Sequence, residues 1–467
     1  MLPIPNIFAI IITMIKRVAI FTDHADPLAP IGAGYMGGEN VYVLELTRAL
    51  SRLGWHTDVY TRASSLKTTH IAKVSQDARV IRLKAGPVSF VPRDKLFTYM
   101  PEYVESFLKF QKENKLEYLL IHGNYYFSGW AALQSAKVLG IPFVNTFHTL
   151  GIVRHNFLKD TDPSPHERIA IEKEIMTADN RIIATSPQMR DEMIRLYGTN
   201  PKKITVIPGG VNLNRFQPTP QLLARRVLHF SINRLIALYV GRIERRKGID
   251  TLLEAVAELA RLMPDKRPIM RCYIAGGNPK GHKSKVMEPS ELKEWERLQG
   301  IVDKLGIKDI VRFLGGINRE LLTFYYAAAD VTVVPSYYEP FGLVPLESMA
   351  SGTPVVASRV GGIQWTIRDG KSGYLVEPGN AKAFAERIRY LMTHATAHKL
   401  LRENGIERVK LFSWDNIADQ MSDLYQDVVI DYFYRKAFHL ANGNGEVKVH
   451  NKSPEKPITP QHGAATG

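Results

Sequence analysis

One stretch of the sequence, residues 335–362, constrains the fold more than any other. It reads PSYYEPFGLVPLESMASGTPVVASRVGG and begins where the run Asp330–Val334 gives way to proline, serine and two tyrosines. An apolar run that stops at a proline is typical of a buried parallel strand followed by a loop. We predict a short helix at about residues 343–351, closed by Gly352, and then a second buried strand at residues 355–357. Two buried strands joined through a helix predict a doubly wound parallel sheet.

Two glutamates in this stretch can bind a ligand. Glu339 lies in the loop, and Glu347 lies eight positions on, inside the helix. The Pro-Phe-Gly bend between them lets the backbone approach a ligand closely, and the helix N-terminus favours an anion such as a phosphate. Two carboxylates that accept hydrogen bonds from hydroxyl groups, with backbone N–H donors for a phosphate between them, would suit a sugar nucleotide. The alternative is that Glu339 is a solvated loop residue and Glu347 an ordinary helix-surface residue.

The stretch resembles the donor-site signature of the retaining glycosyltransferases of group 1, the glycogen-synthase and sucrose-synthase type. In that family two glutamates with seven residues between them flank a Phe-Gly pair, as they do here. The resemblance implies the GT-B fold, an α/β architecture in which two Rossmann-like doubly wound domains face each other across a cleft. It also implies a set of donor-binding residues in this stretch: Glu339, Phe341, Gly342, Leu343 and Glu347.

Length and composition are those of a soluble globular protein of two or three domains: 467 residues, 45% hydrophobic and 23% charged. The single cysteine, Cys272, excludes an intrachain disulfide and fits a reducing cytoplasm. The net charge of +15 suggests nucleic acid, an anionic membrane or phosphorylated substrates as partners. We predict no nucleic-acid binding, because no segment interleaves basic and aromatic residues. Peripheral contact with the inner face of the membrane stays open, and so does a homodimer.

Both termini are predicted to lie outside the fold. Residues 5–15 are apolar, but they lack a basic flank and a cleavage site and are too short to span a bilayer. We interpret residues 1–15 as a non-structural extension with translation starting at Met14, and an interfacial anchor is the alternative. Residues 440–467 are rich in Gly, Asn, Lys and Pro, which predicts a disordered tail.

The first domain, predicted at residues 16–216, opens with a buried strand, a glycine-containing loop at residues 23–38 and a helix at residues 41–53. The loop does not read GxGxxG, so a dinucleotide fingerprint is absent. By resemblance, this loop closes over the phosphates of the donor and over the acceptor. Gly38 is then a donor-binding candidate and Asn40 an acceptor-binding candidate.

Two later strands of this domain, at residues 119–122 and 142–148, end in polar residues. Ligands of open α/β sheets collect beyond the carboxyl ends of the strands. Four side chains are therefore expected to share a crevice with the glycine loop: His122, Tyr125, His148 and Thr149. For His122 a structural role is an equal alternative. The run Asn145–Gly151 resembles the acceptor-side motif of the family, which places His148 beside the donor sugar.

The second domain, predicted at residues 217–412 after a proline-containing linker, begins with a strand, the loop GRIERRKG and a helix at residues 249–262. Arg242 and Lys247 in this loop would bind a pyrophosphate and stabilise it as it leaves. The alternative is a solvated basic turn. Because GRxxxxKG resembles the diphosphate site of the family, Arg242 and Lys247 are assigned to it, and Arg245 and Arg246 are expected to be surface charges. By resemblance, the nucleobase rests near Ile317, and a helix at residues 413–437 crosses back onto the first domain.

The resemblance implies retaining transfer of a hexose or N-acetylhexosamine from a nucleotide sugar, for which uridine is the commonest base. We predict no metal and no cofactor, and four residues that act in catalysis: His148, Arg242, Lys247 and Glu339. The first domain is most similar to the branch that glycosylates inositol phosphate in mycothiol biosynthesis, which implies a small phosphorylated acceptor. The residues that bind the acceptor phosphate in that branch correspond here to Tyr125, Thr149 and Arg168. This chain departs from the branch at two positions: Arg93 stands where the branch has a lysine, and Glu39 stands where it has an uncharged residue.

Three alternatives stay open. The first is transfer to a sugar phosphate, as in the related sucrose-phosphate synthases. The second is a membrane-surface glycosyltransferase with a lipid acceptor, which would need an amphipathic basic helix such as residues 101–115. The third is a non-catalytic protein that binds a nucleotide sugar.

Overall fold

The computed structural model describes residues 16–29, 37–158, 165–178, 181–277 and 289–441. The extension predicted at residues 1–15 and nearly all of the tail predicted at residues 440–467 lie outside these ranges. So do residues 30–36 of the glycine loop and residues 159–164, which lie in the segment 154–168 that the sequence predicts to be a polar insertion.

The first domain is built on a mostly parallel sheet. Its strands are β1 (Arg17–Phe21), β2 (His56–Arg62), β3 (Ile71–Ser75), β4 (Ala78–Leu83), β5 (Leu120–Asn124), β6 (Phe143–Phe147), β7 (Arg181–Ala184) and β8 (Ile204–Val206). Their order is β3-β4-β2-β1-β5-β6-β7-β8, and β3 runs antiparallel to β4 at one edge. The helices are α1 (Gly38–Arg52), α2 (Met100–Glu113), α3 (Tyr125–Leu139), α4 (Gly151–Leu158), α5 (Pro165–Thr177) and α6 (Pro187–Tyr197).

The two faces of this sheet bury different side chains of the same strands. On β1, Ala19 and Phe21 face a cluster that includes Phe107 of α2, while Val18 and Ile20 face α1 and the C-terminal helix. This is the alternation of a strand that is buried on both sides. Because Phe107 is fully buried, the apolar face of α2 packs into the core. The segment considered for lipid binding therefore does not offer that face to a membrane.

The second domain has a parallel sheet with strands β9 (Leu235–Val240), β10 (Met270–Ala275), β11 (Val311–Gly315), β12 (Val331–Val334), β13 (Val355–Ser358) and β14 (Tyr374–Val376). Their order is β11-β10-β9-β12-β13-β14. The helices are α7 (Gln221–Val227), α8 (Ile249–Leu262), α9 (Pro289–Leu305), α10 (Arg319–Ala328), α11 (Leu343–Ala350), α12 (Ile363–Thr366), α13 (Ala381–Thr393) and α14 (Ala395–Val409). Because β9 and β12 are neighbours, the loops that follow them leave the sheet side by side.

The C-terminal helix α15 (Trp414–Ala441) returns to the first domain, as predicted. Ser422 on this helix accepts a hydrogen bond from Trp55 Nε1 at 3.0 Å, and the Tyr425 hydroxyl lies 2.6 Å from His122 Nδ1. A backbone hydrogen bond from Val211 N–H to the Phe412 carbonyl, 2.8 Å long, joins the domains where the helix begins. Both domains and their closing helix therefore form one continuous structure around the cleft.

Candidate functional site

The loops after β9 and β12 are in direct backbone contact. Gly248, with φ at +64°, lies where a Cβ atom would be 2.0 Å from the carbonyl oxygen of Pro335. Only glycine fits such a position. This contact brings the basic loop after β9 against the loop that carries the first glutamate.

Lys247 and Glu339 form an ion pair between these loops, in which Lys247 Nζ donates to Glu339 Oε2. Both side chains are mostly buried. Burial would raise the pKa of Glu339, but the charges of Lys247 and Arg246 outweigh it and the pKa is lowered. Glu339 is therefore ionised at neutral pH and can accept hydrogen bonds from hydroxyl groups, with a cation directly beside it.

Two further cations of this loop, Arg242 and Arg246, share one carboxylate. Arg242 Nη1 lies 2.6 Å from Glu244 Oε1, and Arg246 Nε lies 2.8 Å from Glu244 Oε2. The expectation that Arg246 is a surface charge is wrong: its side chain is 21% exposed and also donates to the Tyr338 carbonyl at 3.3 Å. The tight 3₁₀ turn Arg245–Lys247 directs Arg246 inward and leaves Arg245 exposed.

Two glycines hold the backbone of the loop that carries Glu339. Gly361, with φ at +44°, lies where a Cβ would be 2.1 Å from the Glu339 carbonyl oxygen, and the Gly362 N–H donates to that same oxygen at 3.1 Å. The end of the 335–362 stretch therefore folds back on its beginning. This contact fixes the backbone of Glu339 against the turn that begins α12.

The start of α11 faces the first domain. Gly342, with φ at +98°, caps the helix, and the Leu343 side chain lies 3.4 Å from where a Cβ of Gly38 would be. Phe341 is buried, and its ring lies 3.1 Å from the corresponding point of Gly209 in the loop after β8. The structure thus brings the predicted donor-binding residues of both domains together across the cleft.

Glu347 lies on the second turn of α11. Tyr326 Oη donates to its Oε2 at 2.8 Å. Burial raises the pKa of Glu347 to about 7, because the Tyr326 hydrogen bond and the charges of Arg319 and Arg215 offset the burial only in part. The predicted base-binding residue Ile317 follows β11. The end of β11 is joined to the end of β10 by a hydrogen bond that the Gly276 N–H donates to the Gly315 carbonyl at 2.8 Å.

His148 stands at the carboxyl end of β6. Its Nε2 lies 3.0 Å from Asn124 Oδ1, and its ring makes an edge contact with Tyr42, with 4.8 Å between ring centres. Burial lowers the pKa of His148 to about 3, and the charge of His24 adds to this effect. The imidazole is therefore neutral at physiological pH, so any catalytic role of His148 starts from the uncharged ring.

His122 does not join the crevice, and the expectation that it does is wrong. Its Nδ1 bonds to Tyr425 and its Nε2 lies 2.8 Å from Thr146 Oγ1, with the ring fully buried. Burial lowers the pKa of His122 to about 3. The residue lies on the face of β5 that packs against α15, which is the structural role left open by the sequence.

One guanidinium gathers the predicted acceptor-phosphate ligands. Arg168 Nη1 donates to Tyr125 Oη at 3.1 Å, and Nη2 donates to Thr149 Oγ1 at 2.9 Å and to the Thr149 carbonyl at 2.8 Å. Tyr125 has φ at +71°, a conformation that costs a non-glycine residue about 1–3 kcal/mol and is concentrated at functional sites. Arg93 lies beside it, with its guanidinium carbon 5.7 Å from the centre of the Tyr125 ring.

Glu172, which sequence reasoning missed, anchors this guanidinium. It is fully buried, accepts from Arg168 Nε at 2.7 Å and from the Gly151 N–H at 2.8 Å, and receives a hydrogen bond from Tyr197 Oη. The signal was present as an Arg-x-x-x-Glu pair at helical spacing. Glu172 therefore sets the direction in which Arg168 presents its remaining donors.

Asn40, predicted as an acceptor ligand, is 2% exposed and holds the glycine loop. Its Oδ1 accepts from the Gly37 N–H at 3.0 Å, and its Nδ2 donates to the Asp26 carbonyl at 2.9 Å. The neighbouring Glu39 accepts from Thr22 Oγ1 at 3.1 Å and lies 3.6 Å from His24 Nε2. Glu39 is a further residue of this side of the cleft that the sequence marked only as a departure from its relatives.

The described ranges contain no metal-ion cluster, no membrane-spanning helix and no exposed thiol. No three or more His, Cys, Asp or Glu side chains there are arranged to hold a metal ion. None of the described helices is long and apolar enough to cross a membrane. Cys272 is buried, and burial raises the pKa of its thiol to about 12, so it is a packing residue.

Comparisons of the sequence with known families give two matches. Residues 36–215 match Glycosyltransferase Family 4, and residues 223–408 match Glycosyl transferases group 1. The chain is 34% identical over 420 residues to D-inositol 3-phosphate glycosyltransferase 2 of Catenulispora acidiphila, covering 89% of this chain and 96% of the relative. It is 33% identical over 432 residues to D-inositol 3-phosphate glycosyltransferase of Corynebacterium kroppenstedtii, covering 92% of each.

Solved structures with the same architecture include the sucrose-phosphate synthase of Thermosynechococcus elongatus. That structure has a TM-score of 0.79 and 37% identity, covering 88% of this chain and 98% of the other. HepE of Anabaena in complex with UDP and glucose has a TM-score of 0.69 at 19% identity, covering 88% of this chain and all of the other, and is informative about the fold alone. The GT-B fold predicted from the sequence is confirmed.

Proposed function

We infer a reaction from one premise: the chain belongs to the group 1 glycosyltransferases. We propose that it transfers a hexose or N-acetylhexosamine, with retention of configuration, from a UDP-linked donor to a hydroxyl of a small phosphorylated acceptor. An acceptor of the inositol-phosphate kind is favoured by the names of its relatives, which are D-inositol 3-phosphate glycosyltransferases. The observation that carries the proposal is the convergence of two charged sites on one cleft.

The donor side is the loop pair after β9 and β12. Arg242 and Lys247 would hold the diphosphate, and Glu339 would orient the sugar through its hydroxyls. Glu347 would bind the ribose. In a front-face displacement the acceptor oxygen bonds to the anomeric carbon as the bond to the leaving phosphate oxygen breaks, and the hydroxyl proton passes to that phosphate. The two cations would stabilise the charge on the leaving diphosphate without a metal, while the neutral His148 would contact the sugar.

The acceptor side is the cluster around Arg168. An arginine, a tyrosine hydroxyl and a threonine hydroxyl, with Arg93 alongside, make a suitable site for a phosphate monoester. The two sides lie close together at Tyr338 of the donor loop. Burial raises the pKa of Tyr338, and the charge of Arg168 is near enough to lower it in part. A phosphate held by Arg168 would therefore place the rest of a small acceptor beside the donor sugar.

A transfer screen tests the proposal. UDP-, GDP- and ADP-sugars would be combined with inositol 1-phosphate, fructose 6-phosphate and a lipid extract, with and without EDTA. We expect EDTA-resistant transfer from a UDP-sugar to a phosphorylated acceptor, with an anomeric coupling constant in the product that shows retention. The variants Lys247→Ala and Glu339→Ala should abolish transfer, whereas Arg245→Ala, the exposed neighbour in the same loop, should not.

Transfer to fructose 6-phosphate would instead support a second candidate, a sugar-phosphate acceptor, which the likeness to sucrose-phosphate synthase favours. Transfer only to the lipid extract would overturn the phosphorylated small acceptor. Nucleotide-sugar binding without transfer to any acceptor would favour a binding protein, and inversion or loss of activity in EDTA would refute the mechanism.

A further inference from the structure

The carboxylate of Glu244 bridges two arginines in the loop after β9. Its two oxygens lie 2.6 Å from Arg242 Nη1 and 2.8 Å from Arg246 Nε. The Arg242 side chain is 40% exposed and lies close enough to Arg93 of the first domain for that charge to lower its pKa, whereas Arg246 is mostly buried. Glu244 thus connects a cation that a ligand can reach with a cation that is fixed in the protein.

Arg246 in turn connects this loop to the donor loop after β12. Its Nη1 donates to the Tyr338 carbonyl at 3.3 Å, and its own carbonyl accepts from the Tyr337 N–H at 2.8 Å. These bonds lie directly before Glu339 in the chain. A continuous path of ion pairs and hydrogen bonds therefore runs from Arg242 through Glu244 and Arg246 to the backbone that carries Glu339.

Like charges make this bridge necessary. Arg242, Arg246 and Lys247 come from six consecutive residues, and Arg93 of the first domain lies close enough to act on Arg242. Burial lowers the pKa of Arg242, and the charges of Arg246 and Arg93 lower it further, whereas the charge of Glu244 raises it. Four cations and the two carboxylates Glu244 and Glu339 leave a net charge of about +2, which suits a diphosphate. Without Glu244 the two arginines would repel each other, and Arg242 would lose its fixed direction.

We propose that Glu244 is a positioning residue of the diphosphate site, holding Arg242 toward the cleft and anchoring it through Arg246 to the donor loop. The inference rests on the proposed function, since the ligand of Arg242 is the diphosphate of the donor. The test also distinguishes the alternative that Glu244 merely neutralises Arg242. In that case the carboxylate would compete with the diphosphate, and removing its charge would strengthen the binding of the diphosphate.

The test compares UDP with UMP, which lacks the second phosphate, by calorimetric titration of the full chain. In the wild type the ratio of the UMP to the UDP dissociation constant reports the contact with the second phosphate. We expect Glu244→Gln to lower this ratio about tenfold or more, while the dissociation constant of UMP changes by less than about threefold. Glu258→Gln is the matched control, because Glu258 holds Arg261 with similar contacts of 2.8 and 2.6 Å on the exposed surface of α8.

A second variant separates position from charge. Glu244→Asp keeps the charge but is one methylene shorter and cannot reach both arginines, so a positioning role predicts a ratio between those of the wild type and Glu244→Gln. A wild-type ratio in Glu244→Gln, a raised ratio, or a wild-type ratio in Glu244→Asp would each overturn the inference while UDP still binds. Failure of the wild type to bind any of UDP, GDP and ADP would overturn the proposed function as well.

Discussion

Replacing Glu347 with glutamine is expected to change stability and function in opposite directions. The side chain is half-buried on α11, and desolvation of its carboxyl group raises the pKa from 4.5 to about 7. Because each pKa unit corresponds to about 1.36 kcal/mol, ionising Glu347 in the folded protein costs up to about 3.4 kcal/mol of the free energy of unfolding. A folded pKa above the unfolded value means that this loss is absent below about pH 4.5 and complete above about pH 7.

Glutamine removes that cost without removing the local hydrogen bond, since its Oε1 can still accept from Tyr326. In urea denaturation of the ligand-free protein, Glu347→Gln should be more stable than the wild type by as much as about 3 kcal/mol at pH 8.5, and the difference should shrink toward zero near pH 5. Donor binding should weaken about 10- to 100-fold, because a charge-assisted hydrogen bond to the ribose is lost.

The exposed Glu386 on α13 provides the control. Glu386→Gln should alter neither the pH dependence of stability nor the affinity for UDP. A Glu347→Gln protein that is no more stable than the wild type at pH 8.5 would refute the burial argument. Unchanged UDP affinity would refute the assignment of Glu347 to the ribose.

Three further predictions concern one glycine and two histidines. Gly361→Ala should abolish transfer and lower the melting temperature, because the added Cβ would meet the Glu339 carbonyl oxygen. Gly370→Ala is the control, since Gly370 also has a positive φ but no atom lies within 4 Å of the added Cβ. It should lower the free energy of unfolding by only about 1 kcal/mol and leave transfer intact. His122→Ala should lower the free energy of unfolding by about 2–4 kcal/mol, because Thr146 and Tyr425 lose their partner, yet leave the KM for the donor unchanged. His148→Ala should lower kcat at least about 100-fold with little loss of stability, and a reversed pattern for the two histidines would contradict the assignment of their faces.

Elements with a strong local pattern were predicted closely. The helix predicted at residues 249–262 is observed at Ile249–Leu262, and the strand predicted at residues 355–357 is observed at Val355–Ser358. These segments have a clear helical period or an unbroken apolar run between glycines, so neighbouring residues alone determine the outcome. The loop, helix and strand of residues 335–362 were predicted for the same reason.

Elements whose pattern depends on distant contacts were missed. Helix α3 is buried nearly all round in its first three turns, so its sequence lacks the amphipathic period that marks a surface helix. Strands β3 and β4 form an edge hairpin in which β3 is largely exposed, so it has no apolar run. Helix α4 begins directly after the His148 motif, where the sequence suggested only a polar segment from Arg154 onward.

The candidate site shows the same division. Motifs identified Lys247 and Glu339, but not that they pair with each other, since that contact depends on the order of the strands. The sequence did not predict that Arg246 turns inward, because that depends on the conformation of its turn. It did not predict that His122 is buried against α15 either. The alternation of side chains along a strand shows that the strand has two faces, but not which face the rest of the chain will cover.

The return of α15 to the first domain has a consequence for the order of events during synthesis. Val18 and Ile20 of the first sheet, and Trp55 directly before β2, are covered by residues of α15 such as Ile417, Met421 and Tyr425. Domains fold as the chain emerges from the ribosome, amino-terminal parts first. Here one apolar face of the first sheet, covered in part by α1, stays incomplete until the second domain has been made. A chain that stops before Trp414 would lack the contacts that α15 makes with this face.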